Sequence, residues 1–109
     1  MKRNDNDRLR EALTHIDALH RHLERQDLPD ETVADAVSLR LASAIETLRT
    51  TTGELETRLF GDDWARIWAT RNHIAHGYAF VSQDLIRETI KFNLPDFERT
   101  LRAALDKLG

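Results

Sequence analysis

LREALTHIDALHRHL, residues 9–23, decides the fold. Leu9, Leu13, Ile16, Leu19 and Leu23 recur at steps of three and four, which lines them up along one side of a helix. Asn4 to Asn6 are N-cap residue types ahead of the stripe, and Asp27-Leu28-Pro29 ends it. The same period returns downstream. A second helix starts at Asp30 or Thr32, carries Val33, Val37, Leu41, Ala44, Ile45 and Leu48 on one side, and frays over residues 49–53. A short helix, Glu54–Phe60, stops at Gly61, and Asp62 or Asp63 caps the next. There Trp64, Ile67 and Trp68 face inward, and Gly77 closes the element. Ser82 is an N-cap for the last one, whose stripe is Ile86, Ile90, Leu94, Phe97, Leu101, Leu105 and Leu108. Pro95 falls inside that stripe, so a kink or two abutting helices are expected there. The expected fold is all-α: an antiparallel up-and-down bundle of four to five helices in a single domain, residues 1–109, that pairs as a homodimer.

Composition narrows the function classes. With two prolines and few β-branched clusters there is little material for a sheet, and with no cysteine there is no disulfide or thiolate metal site. No apolar run approaches the roughly 20 residues that span a bilayer, and no signal-peptide pattern follows MKRNDNDRLR. A cytoplasmic protein is expected. Net charge is −3, unlike proteins that coat nucleic acid non-specifically. Between Trp64 and Phe92, however, four basic residues stand against Asp84 and Glu88, a local +2 that leaves −5 for the rest.

Inside that basic part lies RNHIAHGY, residues 71–78. On a helical wheel Trp64, Ile67, Trp68, Arg71, Ile74 or Ala75, and Tyr78 share one stripe, so Arg71 stands on a mainly apolar face. An unpaired charge buried there would cost several kcal/mol, so Arg71 must meet an anion or reach solvent. Asn72 and His76 share a neighbouring face, whereas Arg71 and His76 are about 140° apart on a regular helix. They can serve one small group only if the helix unwinds near Gly77 or a second copy completes the site. Histidine moves protons near neutrality, and a fixed guanidinium holds phosphate or developing charge. Asn72 can orient His76 or bind a phosphate oxygen. These are the parts needed to cleave RNA without a metal. The plain alternative pairs Arg71 with an acidic residue and leaves His76 as a polar helix end. His15, His20 and His22 read as solvated helix positions, with His20 partly lining the apolar face. His73 with His76 makes an H-x-x-H pair without a third ligand, so no metal is expected.

Arg71, His76 and Tyr78 fit the R-x4-H-x-Y pattern of the HEPN superfamily, and RNHIAHGY resembles its HepT-like branch, where R-N-x-x-x-H-G-Y is usual. The likeness extends to Trp64-Ala65-Arg66-Ile67, to the helix over 82–94 with its Leu94-Pro95 step, and to the hairpin from Leu9 onward. It implies the toxin of a toxin–antitoxin pair: a homodimeric, metal-independent endoribonuclease that needs no cofactor, with the paired motifs lining a cleft between copies. By this resemblance Arg71 and His76 are catalytic and Asn72 supports them. The partner is a minimal nucleotidyltransferase antitoxin, which can attach AMP to the motif tyrosine, here Tyr78. The family's Gly-Glu-Ala step is replaced by Ile45-Glu46-Thr47; Glu46 either pairs with Arg71 or is solvated. His73, outside the pattern, either contacts RNA or is solvated. The competing expectation is a non-catalytic helical module that binds a nucleotidyltransferase or a nucleotide.

Overall fold

The structure, a computed structural model, describes residues 4–26, 30–76 and 83–108. Those residues form helices and connecting turns, with no strand among them. Helix α1 (Asp5–Leu23) starts at Asn4, whose side chain accepts the Asp7 N–H at 2.7 Å. Asp5 and Asp7 in its first turn and His20, Arg21 and His22 in its last match the helix dipole. Helix α2 (Asp30–Leu48) returns alongside it. Three cross-helix pairs fix the antiparallel register: Arg8 donates to the Thr47 carbonyl, Thr47 to Glu11, and Arg40 meets His15 Nδ1 at 3.1 Å.

The turn into α3 (Glu54–Phe60) is tied by one buried carboxylate. Glu56 accepts both the backbone N–H and the hydroxyl of Thr50, at 2.9 and 2.6 Å. Gly53 supplies the left-handed residue this turn requires, with φ 77°, and donates to Thr50 Oγ1. Gly61 ends α3 as the sequence predicts, but Asp62 and Asp63 do not cap α4 (Trp64–Ala75). Residues Gly61–Asp63 form a 3₁₀ turn, so Asp63 is already helical (φ −69°, ψ −18°) and its side chain makes no cap bond.

Helix α5 (Gln83–Glu88) continues through a wide turn, Thr89–Asn93, into α6 (Leu94–Leu108). Glu88 and Leu94 at its ends are both right-handed helical, and the Leu94 N–H reaches the Thr89 carbonyl five residues back. In a regular α-helix the Pro95 ring would strike the carbonyl four residues before it, and that carbonyl would lose its donor. A π turn ahead of the proline meets that conflict, so of the expected kink or two abutting helices the structure has the second, with α5 and α6 joined through a widened turn. The expected cap Ser82 lies outside the described residues. Helix α6 runs antiparallel to α1, with Arg102 on Asp17 at 3.0 Å and His20 on Glu98 at 2.6 Å.

Leu9, Leu13, Ile16 and Leu19 of α1 meet Val37, Leu41, Ala44, Ile45 and Leu48 of α2 and Leu94, Phe97 and Leu101 of α6 in one buried core. Leu55 and Ile86 close its ends, and Phe60 stacks on Phe97 at 5.3 Å. The stripes read from sequence supply the core, except that Leu23 is exposed and Val33, Ile90 and Leu105 are only partly buried. Helix α4 departs from expectation. Trp64, Ile67, Trp68 and Ile74 pack on the core only partly buried, and no residue of α4 is fully buried. It lies on the flank of the bundle and keeps one long side open. No helix among the described residues is long and apolar enough to cross a membrane.

Candidate functional site

Helices α2 and α4 lie against each other in opposite directions, and this brings Glu46 to Arg71 and Arg49 to Trp68. Arg71 projects from the third turn of α4 onto that seam, its side chain 20% exposed. Three neighbours hold it. Glu46 Oε1 accepts from its Nη2 at 3.1 Å, Asn72 Oδ1 accepts from Nη1 at 3.1 Å, and the Trp68 ring lies 4.8 Å away. The arginine on an apolar face thus finds both an anion and an aromatic surface. Satisfaction is incomplete. Its Nε is buried and has no hydrogen-bond partner among the described residues. Such a group retains a desolvation cost of roughly 1–3 kcal/mol. Glu46 is both paired and exposed, with 61% of its side chain open to water, so the carboxylate on Arg71 is one that solvent or another anion can displace.

Asn72 turns its side-chain oxygen to Arg71, while its backbone carbonyl accepts the His76 N–H at 2.9 Å. Of the two sequence expectations for Asn72, orienting His76 is not what its side chain does here. His76 ends α4 with φ −79° and ψ 16°, still bonded in the helical pattern. The helix therefore stays wound up to His76, and the separation of about 140° from Arg71 stands within one chain. His76 is exposed. His73 lies on the side that faces α5, bordering a shallow groove with Arg66, Leu85 and Thr89. Gly77 and Tyr78 fall outside the described residues.

The structure thus joins Arg71, Asn72 and Glu46 into one contact set and leaves His76 and His73 apart from it. Two contacts escaped sequence reading. Trp68 is more than an inward-facing aromatic, since Arg49 also lies over its ring, at 4.7 Å. The i, i+3 spacing of Trp68 and Arg71 was available as a signal. Nothing local marks Arg49, because its place depends on the α2–α4 register. The first-helix histidines are also less solvated than expected. His15 is half-buried against Arg40, and burial, then the neighbouring guanidinium, lowers its pKa below the ordinary 6.5. His20 is bonded to Glu98 and, as expected, borders apolar residues, in a groove with Ile90, Leu94 and Pro95.

A family model described as "Ribonuclease HepT-like" matches residues 9–104, a span that takes in the α1–α2 hairpin, Arg71 to His76 and nearly all of α6. No curated protein and no solved structure matches the chain. With the family's model spanning all but the two ends, the chain belongs to the HepT-like ribonucleases.

Proposed function

We propose that this chain is the toxin of a toxin–antitoxin pair, a cytoplasmic endoribonuclease that cleaves RNA without a metal in a cleft between two copies. The observation that carries this is the state of Arg71. It is fixed on a half-buried face, incompletely satisfied, and opposed only by an exposed carboxylate, while the motif histidine stands about 140° round the same helix. One protomer offers half a site on each of two faces. The open flank of α4 gives a second copy somewhere to bring the missing half, and its proximity would supply the pairing that the regular helix denies.

In this reading neutral His76 takes the proton of a ribose 2′-hydroxyl, and the 2′-oxygen attacks the adjacent phosphorus. The bond from phosphorus to the 5′-oxygen breaks, and that oxygen takes up a proton, from the second copy's His76 or from water. Arg71 leaves Glu46 for the phosphate oxygens and stabilises the charge that builds on them in the transition state. Asn72 and Glu46 hold the guanidinium until then, and His73 contacts the flanking strand. A nucleotidyltransferase antitoxin adds AMP to Tyr78, two residues beyond His76, and the added phosphate repels RNA from the site.

The test is cleavage of total RNA by purified protein in EDTA, beside His76→Ala, with intact mass recorded for both. Cleavage by the parent alone is the expected result. A parent carrying the mass of AMP and inactive until the group is removed also fits, with Tyr78→Phe remaining unmodified. An unmodified, folded and inactive parent would favour the second reading, a binding module, which the net charge of −3 supports.

A further inference from the structure

We propose that Arg49, held on Trp68, is a second phosphate-binding residue of the site and grips single-stranded RNA beside the scissile position. The inference rests on the proposed RNA substrate. Arg49 is the first residue beyond α2, and its backbone is pinned at both ends: its N–H bonds to the Glu46 carbonyl, and its own carbonyl accepts from Arg8. The side chain thus leaves from a fixed point and lies over the Trp68 ring at 4.7 Å. Stacking covers one face of the planar guanidinium and leaves its edge donors available.

Six of the arginines, Arg58, Arg66, Arg71, Arg87, Arg99 and Arg102, are held by a carboxylate, and among the described residues Arg49 is not one of them. It shares its aromatic neighbour with Arg71, 4.8 Å from the same side chain. The two cationic carbons are therefore no further apart than both distances together, 9.5 Å. That upper bound is close to the screening length of about 8 Å at physiological salt, so one stretch of a polyanion can meet both charges. Glu46 offsets the charge of Arg71 from an exposed position, which leaves the pair of guanidinium groups with positive charge for a further anion. A chain of phosphodiesters, each a bidentate match for a guanidinium, is such an anion.

Direction follows from the antiparallel seam. Trp68 lies eight residues before His76, about 12 Å along the helix axis, so Arg49 extends the site away from His76 and past Arg71. Its phosphate flanks the one being cleaved.

The experiment measures binding of a single-stranded RNA oligomer by fluorescence anisotropy across salt, with His76→Ala as the parent so that the RNA stays intact. Arg49→Ala, Arg49→Lys and Arg99→Ala are made in that parent, and each is checked by its melting curve. Arg49→Ala should weaken binding about tenfold. Its log–log salt slope should fall by about 0.7, the value for one phosphate contact on a single strand. Arg49→Lys should keep most of the slope, and Arg99→Ala should bind as the parent does. A folded Arg49→Ala protein with unchanged affinity and slope overturns the proposal, as does an equal loss from Arg99→Ala. Failure of the parent to bind RNA at all would overturn the ribonuclease reading with it.

Discussion

Arg71 shows how one residue can serve fold and chemistry without committing to either. Its ion pair with Glu46 is open to water on the carboxylate side. Such pairs contribute roughly 0–1 kcal/mol, because solvent screens the attraction and two long side chains must be ordered. The residue is retained on the seam by Trp68 and Asn72 as much as by charge. Replacing Glu46 with glutamine keeps an acceptor and removes the competing anion. Chemical denaturation of Glu46→Gln should shift stability by less than about 1 kcal/mol. In RNA cleavage its KM should fall, since the RNA no longer displaces a charge, with little change in kcat because the retained acceptor still orients Arg71. If KM matches the parent, Glu46 is no more than a surface neighbour of Arg71.

At the scale of elements, the joints between helices carry more energy than that surface pair. Glu56 is buried and accepts two hydrogen bonds from Thr50, so it holds the chain as it leaves α2. Glu56→Ala strands the Thr50 N–H and should cost about 2–3 kcal/mol in a urea titration, well above any change at Glu46. A loss no larger than that of Glu46→Gln would show that water replaces the carboxylate there.

Two other joints give the bundle its acid sensitivity. His15 lies against Arg40 between α1 and α2, with its pKa lowered by burial first and by the guanidinium second. Glu98 joins α6 to α1. Burial raises its pKa, but hydrogen bonds from His20 and Arg102 outweigh burial and leave it below the ordinary 4.5. Both groups are depressed in the folded chain, so the unfolded chain binds more protons and stability rises with pH. His15 contributes fully above about pH 6.5, and its share is lost as pH falls through its lowered folded value. Glu98 does the same from about pH 4.5 downward. Melting curves of His15→Asn should lose the upper step and those of Glu98→Gln the lower one. An unchanged pH profile in either variant would remove that group from the account.

The elements themselves were legible because their signals are local. Leu9 to Leu23, Val33 to Leu48 and Ile86 to Leu105 repeat at helical spacing, and Gly61 and Asn4 mark ends through their own backbone or side chain. Pro95 announced a disturbance but not its form, since a kink and a π turn both relieve the same clash. Asp63 misled, because a 3₁₀ turn left it in a helical conformation before it could cap. The site divided in the same way. The motif residues stood out by type and spacing, whereas Arg49 on Trp68 and Arg40 on His15 depend on how helices far apart in sequence align.

For the whole molecule, the question is whether one chain or two make the site. Arg71 and His76 are separated by the helix that carries both, and α4 stays wound to His76, so no small local change within the described residues brings them together. A two-fold pair could do so by opposing one chain's Arg71 to the other chain's His76. Mixing inactive variants tests that directly. Arg71→Ala and His76→Ala are each expected to be inactive alone. Unfolded together and refolded, or exchanged at low concentration, they form mixed dimers in which one composite site holds both lesions and the other holds neither. With random pairing, half the dimers are mixed and each has one working site, so activity should return to about a quarter of the parent's. If Arg71 and His76 of the same chain act together, every chain carries a lesion and the mixture stays inactive. Exchange is verified independently by the mass of mixed dimers, one variant being isotope-labelled. A mixture that contains mixed dimers but does not cut RNA would place the site within a single chain and require α4 to unwind during the reaction.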